Sequence, residues 1–250
     1  MKHNTIIGID LAKNVFQVCI ATTKGQVKTN KTATRGQLFD FITRQPRALI
    51  VMEACGGAHD WARRFMQVGH EVRLIAPQYV TPFRHGQKND HNDARALTEA
   101  GLRSGIPSVP IKTVDQQDLQ ALHRVRERLV KQRTAFVNQI RGLLVEYGLV
   151  VPQGIYRLRK QLPRIVEDAE NGLTMHFRDM LQSLSTELSD LDGRIAEATN
   201  RITRQSRERE ACQRLQKIAG VGPLSATALE AALGNGQCFE TGRQVSAWLG

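Results

Sequence analysis

Cysteine is scarce in this chain: Cys19, Cys55, Cys212 and Cys238 lie far apart, with no C-x-x-C pair and no Cys/His cluster. Neither a disulfide framework nor a zinc site is indicated, and the pattern fits a reducing cytosol. Long apolar runs are missing as well. No stretch approaches the roughly 20 residues that a membrane-spanning helix needs, and MKHNTIIGID enters an apolar segment without the longer hydrophobic region of a signal peptide. A cytoplasmic location without a membrane partner is expected. Acid is also in short supply, with 24 Asp and Glu against 35 Lys and Arg, a net charge of +11 and a pI of about 10.0. Such a balance suggests a polyanionic partner, because Lys and Arg release counterions from phosphates, but charge alone does not separate DNA from RNA. At 250 residues the chain is long enough for one sizeable core and a second unit.

Against that deficit, four acids occupy notable places: Asp10 in TIIGIDLAK, Glu53 in ALIVMEACGG, and Asp90 with Asp93 in QKNDHNDARAL. Thr5 to Ile9 and Ala48 to Met52 are short runs rich in Ile and Val, which read as buried central strands. Each delivers an acid at its C-terminal end, where open α/β sheets bind ligands. Asp90 and Asp93 are three apart at the head of an expected helix, so they share one face. Gathered together, four carboxylates suit Mg²⁺, which prefers carboxylate oxygens, water and substrate phosphate. Taken singly, each acid reads equally well as a turn residue, a helix cap or a complement to a helix dipole.

The runs GIDLAKNVFQV, VMEACGG and KNDHNDARAL, in that order, resemble the DEDD transposases of bacterial insertion sequences, relatives of the pilin-gene-inverting recombinases. The run LQKIAGVGPLSATALEAALGNGQCFETGRQVSAWLG resembles the same family's C-terminal block. The resemblance implies a RuvC-like catalytic domain with Asp10, Glu53, Asp90 and Asp93 as its acidic, Mg²⁺-holding residues. It implies cutting and rejoining of donor and target DNA, a structured noncoding guide RNA, and a homo-oligomer, dimer or tetramer. Related enzymes continue through a Ser-Gly-Gly segment that carries a nucleophilic serine, whereas this chain stops at Trp248-Leu249-Gly250. The nucleophile is therefore expected outside it. Ser225 and Ser246 do not match the motif and read as a helix surface and a packing contact.

Three regions separate by pattern. Residues 1–111 alternate strand and helix signals and are expected to form an α/β sheet domain with a leading hairpin, an order that fits the ribonuclease H-like (RuvC-like) fold the resemblance implies. A hairpin runs from Val15 to Ile20, turns at Thr22 to Gly25 and returns through Gln26 to Lys31; Thr34 and Gln37 form a capping box. Residues 112–210 carry apolar positions at spacings of three and four from Gln116 to Tyr147 and from Leu173 to Arg209, which predicts a long antiparallel helical pair with a coiled-coil-like seam. Gly148, Pro152, Gly154 and Pro163 place the connection at Gly148 to Pro163. Residues 211–250 are expected to be the start of a helical C-terminal domain, in which Gly220 and Gly222 shape a helix-hairpin-helix-like turn open to a phosphate.

Between His123 and Arg164, ten Lys or Arg face only Glu127 and Glu146. Arg124, Arg126, Arg128, Lys131, Arg133, Arg141, Arg157, Arg159 and Lys160 are accordingly the expected nucleic-acid grip; the plainer reading is a solvated basic face. Three other functions compete. A metal-dependent RuvC-like Holliday-junction nuclease needs the acids and no serine. A sugar-kinase or actin-like phosphotransferase also opens with G-I-D but needs later Gly-rich phosphate loops, and a non-catalytic RNA-binding protein leaves the acids idle.

Overall fold

The computed structural model describes residues 3–84, 89–234 and 236–249. His85, Gly86, Gln87 and Lys88, the last of which opens one of the motifs, lie outside the described residues, as does the terminal Gly250. By packing, the chain divides into two units: residues 1–113 together with 233–250, and residues 114–232.

The first unit is built on a six-stranded sheet. In chain order it comprises β1 (Thr5–Asp10), β2 (Val15–Thr22), β3 (Val27–Thr34), α1 (Arg35–Thr43), β4 (Leu49–Glu53), α2 (Ala58–Gln67), β5 (Glu71–Ile75), α3 (Pro77–Val80), a short 3-10 turn at Thr81–Phe83, α4 (Asp90–Gly101) and β6 (Ser108–Val109). The spatial order is β3-β2-β1-β4-β5-β6. β1, β2 and β3 are antiparallel neighbours, and β1, β4 and β5 run parallel. This mixed sheet, a leading hairpin continued by parallel strands, is the α/β arrangement that the sequence pattern predicts. Gln37 Oε1 accepts from the Thr34 N–H at 3.2 Å and from its hydroxyl at 2.9 Å, which starts α1 where the capping box expects it.

Strand alternation sorts the side chains onto two faces. Ile7, Ile9, Ile50, Met52 and Leu74 pack with Trp61 and Phe65 of α2 and with Leu38 and Ile42 of α1. Ile6, Val51 and Ile75 point the other way, onto Ala96, Leu97 and Ala100 of α4. Both faces are covered, which is why the central strands read as continuous apolar runs. The parity also puts Asp10 and Glu53 on the α4 face of adjacent strands, since each lies two residues beyond a position of that face, Gly8 and Val51.

The second unit is helical: α5 (Val114–Val145), α6 (Ile155–Glu167), α7 (Met175–Glu208), α8 (Glu210–Leu215) and the greater part of α9 (Pro223–Leu233). α5 and α7 are antiparallel, because Arg126 of α5 reaches Thr199 of α7 and Arg133, seven residues on, reaches Asp192, seven residues back. Leu129 packs with Leu191, Ile195 and Ala198 along this seam. Farther along, Val137, Ile140 and Leu144 meet Phe177, Leu181 and Leu188. The connection departs from expectation, for Gly148 to Pro163 is not all loop: α6 crosses it, and Pro163 sits inside that helix. Leu158 and Leu162 are buried and hold α6 on the other two helices, and this packing outweighs the backbone hydrogen bond that proline cannot make. Residues 236–249, grouped with the first unit, hold α10 (Gly242–Leu249), with Phe239 and Trp248 ring centroids 6.1 Å apart. Among the described residues no helix is long and apolar enough to cross a membrane.

Candidate active site

Asp10 ends β1, Glu53 ends β4, and Asp90 and Asp93 lie in the first turn of α4. Strands and helix are brought together by an absence of side chain. A Cβ added to Gly8 would stand 2.3 Å from the Ala94 carbonyl oxygen and 2.9 Å from Thr98 Cγ2. Only glycine lets α4 lie this close to β1, and it does so two residues before Asp10 on the strand and one residue after Asp93 on the facing helix. Gly101 repeats the device one face-width along, where a Cβ would meet Val51 Cγ2 at 2.5 Å and Ile6 Cδ1 at 2.7 Å.

The N-terminus of α4 is fixed by polar contacts as well. The Asn89 side chain accepts from the Asn92 N–H at 2.8 Å and caps the helix. Capping is thus assigned to Asn89 and leaves Asp90 and Asp93 free of that task. Gln17, buried and paired in register with Asp10 across β1 and β2, donates to Asn30 Oδ1 at 2.6 Å. Asn30 in turn donates to the His91 carbonyl at 3.0 Å, so a strut from β2 and β3 ends between Asp90 and Asp93.

The acids sense one another. The Asp10 carboxyl is pushed up to about 6, first by burial, then by the charges of Asp93, Asp90 and Glu53, with Arg84 acting the other way. All four expected acids therefore converge on one field, and a group of crowded, partly dehydrated carboxylates is the donor chemistry that a hard divalent cation satisfies. As placed, no group of three or more His, Cys, Asp or Glu side chains among the described residues is set to share one ion. Instead the Arg84 guanidinium forms an ion pair with Asp93. Cys55, exposed next to this edge, has its thiol pushed up by burial and by Glu53 and Asp10, so it is held as the neutral thiol.

The expected basic grip is divided by the structure. Arg133 donates to Asp192 Oδ1 at 3.1 Å, and Arg159 pairs with the other oxygen of the same carboxylate. Arg126 donates to Thr199 Oγ1 at 2.9 Å and Arg141 to the Val151 carbonyl at 3.0 Å. These four help to hold α5, α6 and α7 together. Arg128 donates along its own helix to Gln132 at 3.3 Å, and Lys131 pairs with Glu127 at 2.6 Å. Arg124, Arg157 and Lys160 are exposed and show no ion pair among the described residues. Gly220 takes a left-handed φ of 85° in the turn between α8 and α9, whereas Gly222 does not need positive φ and lies next to Pro223, where α9 starts. Ser225 and Ser246 are exposed on α9 and α10.

Sequence reading missed Gly8, Arg84 and the Gln17–Asn30 strut. An isolated glycine in an Ile-rich strand was a usable signal of close backbone approach. Arg84 follows an unpatterned turn and gave none.

The RuvC structure from Thermus thermophilus resembles this chain only slightly, with a TM-score of 0.34 at 10% identity over 42% of this chain and 99% of that one. The fold therefore rests on the strand order itself. Similarity in sequence is far stronger. The transposase for insertion sequence element IS1111A of Coxiella burnetii is 42% identical over 250 residues, all of this chain and 69% of that protein. A probable family 20 transposase of Pseudomonas aeruginosa is 42% identical over 245 residues, 98% of this chain and 72% of that one. The pilin gene-inverting protein of Moraxella bovis is a distant relative at 24%. The IS110-type DEDD transposase model matches residues 7–149, which hold all four acids, and the IS116/IS110/IS902 transposase model matches residues 212–250. With the sheet edge, the acid cluster and both ends of the sequence agreeing, this chain belongs to the IS110/IS1111 family of DEDD transposases.

Proposed function

We propose that Asp10, Glu53, Asp90 and Asp93 are the acidic active-site residues of a DNA strand-cutting and rejoining reaction, and that they hold Mg²⁺. The observation that carries this reading is the placement of four carboxylates at the ends of β1 and β4 and in the first turn of α4. When bound there, the cation offsets charge on the phosphoryl oxygens. The protein's own part is placement. Gly8 and the Gln17–Asn30 strut set α4 against the strands, which brings the first turn of the helix towards the ends of β1 and β4. The attacking group in this reading is a serine supplied from outside residues 1–250. Its oxygen gives up its proton and bonds to phosphorus as the strand's P–O bond breaks, the departing oxygen takes up a proton in exchange, and the phosphoserine link is later reversed to rejoin DNA. A structured guide RNA, pairing with donor and target DNA, supplies sequence choice, and the exposed Arg124, Arg157 and Lys160 contribute backbone contacts. Several protomers assemble, because two DNAs have to be held at once.

The test uses a strand-cleaving form of the protein with guide RNA and Mg²⁺. Asp10→Asn or Asp93→Asn should lower cleavage on the order of 10²- to 10³-fold while nucleic-acid binding persists. Cleavage that survives both substitutions removes these residues from the site. In parallel, denaturing gels should show DNA migrating with a serine-containing extended chain and not with residues 1–250. An adduct on the shorter chain that disappears on Ser225→Ala or Ser246→Ala would assign the nucleophile to one of those serines.

A further inference from the structure

Arg84 follows the 3-10 turn and enters the acid cluster from the side. Its side chain is 24% exposed and that of its partner Asp93 is 15% exposed. The two atoms in the pair, Arg84 Nε and Asp93 Oδ1, are both sealed from solvent and have no other hydrogen-bond partner among the described residues. Arg84 brings a positive charge into a group of four acids. The charge that offsets the carboxylates in this state is thus supplied by the chain. The Asp93 oxygen that faces the guanidinium cannot at the same time face a metal, which agrees with the finding that no three ligand side chains share one ion as placed.

We infer that Arg84 is a positioning residue, an internal counter-ion that a divalent cation has to displace from Asp93, and that this exchange sets how tightly the site loads metal. The inference rests on the metal-holding reading above. It follows from two effects of the same sign. The ion pair has to open before Asp93 can ligate, and a fixed positive charge beside the site repels a dication. A purely structural Arg84, a staple for the start of α4, predicts the opposite: without it Asp90 and Asp93 would wander and metal would bind more weakly.

The experiment titrates Mn²⁺ into the 250-residue chain by calorimetry and compares the wild type with Arg84→Gln, Arg84→Lys and Asp10→Asn, with circular dichroism to check folding. Arg84→Gln should bind Mn²⁺ on the order of tenfold more tightly, the scale of one charge pair in a half-buried site. Arg84→Lys keeps the charge but loses the planar fork, and should fall between the two. Unchanged or weaker binding in a folded Arg84→Gln overturns the inference. If that variant misfolds, Arg84→Lys decides on the same terms: tighter supports, unchanged or weaker overturns. Saturable binding that Asp10→Asn removes but Arg84 does not influence sinks the inference and leaves the metal reading standing. No saturable binding in any chain ends both.

Discussion

In the sheet unit, burial and then three neighbouring carboxylates push the Asp10 carboxyl up to about 6, whereas in the helical unit two guanidiniums share the single carboxylate of Asp192. The first arrangement concentrates like charge and leaves it unresolved apart from Arg84. The second neutralises charge and spends it on holding α5, α6 and α7 together. Residues 10, 53, 90 and 93 are dispersed in sequence and meet only through the fold. The basic residues from Arg124 to Lys160 are dense in sequence and are then pulled apart by packing. Sequence density of charge is therefore a poor guide to available charge, and sequence dispersion is no obstacle to a site.

The sharpest way to break the comparison is to separate the acids without touching them. Gly8→Ala places a methyl group against the Ala94 carbonyl oxygen, a backbone atom that cannot swing aside. Overpacking of this kind typically costs about 1–3 kcal/mol, and the upper end is expected here. Cleavage should be lost and the melting temperature should fall, while the nucleic-acid binding proposed for the helical unit should persist. A variant that melts normally and cleaves DNA would show that α4 does not need its close approach to β1.

The two kinds of basic residue give the next contrast. Neutralising Arg124, Arg157 and Lys160 together should reduce the slope of log affinity against log salt by about 2–3, at roughly 0.7–0.9 per phosphate contact, without changing stability. Asp192→Ala should do the reverse. It leaves Arg133 and Arg159 facing each other and lowers stability by about 1 kcal/mol, the discounted value for partly exposed pairs, with little change in the salt slope. Salt-dependent filter binding and urea melts on the same variants separate the outcomes. Equal slopes for both would erase the distinction between gripping and bracing residues.

Asp10 allows the combined effect of burial and crowding to be measured. Its folded-state ionisation lies above that of an ordinary carboxylate, so the folded state holds a proton that the unfolded state releases between about pH 4 and pH 6. Across that window the unfolded state binds fewer protons, and the metal-free protein loses stability as pH rises. Above pH 6 the penalty is present in full. Asp10→Asn removes it and should be more stable than the wild type at pH 7 by about 1 kcal/mol, once partial exposure is discounted. At pH 4 the difference should vanish. Mg²⁺ should reverse the order at pH 7 by stabilising only the wild type. A pH-independent difference would mean that neither burial nor the neighbouring acids hold the Asp10 carboxyl up.

These contrasts also explain what was legible in the sequence. Strand and helix identities followed from apolar period, and both faces of the sheet being covered made β1 and β4 stand out as unbroken runs. The acids were legible because each sits one step beyond such a run or at a helix start. What escaped depended on contacts between distant segments. No period announces that Gly8 lies under Ala94, that Arg84 turns back onto Asp93, or that Asp192 collects two arginines from two helices. Pro163 misled for the opposite reason: a local breaker signal was overruled by the burial of Leu158 and Leu162.

The smallest expected effect uses the Gly8 substitution in the other unit and should change sign. Gly142 lies in α5 and Gly193 in α7, both in helix interiors, and a Cβ added at either meets nothing within 4 Å. Neither position takes a positive φ. With no close approach to protect, glycine there only widens the unfolded ensemble and weakens the helix, so Gly142→Ala and Gly193→Ala should each stabilise the protein by about 0.4–1 kcal/mol. Thermal melts of the three Gly→Ala variants side by side give the comparison directly. Gly8→Ala should fall and the helical pair should rise. If Gly142→Ala or Gly193→Ala instead destabilises, that position is covered by something in the assembled protein, such as nucleic acid or a second protomer. If the loss appears only when RNA or DNA is added, nucleic acid is what covers it, because the free chain leaves the space open.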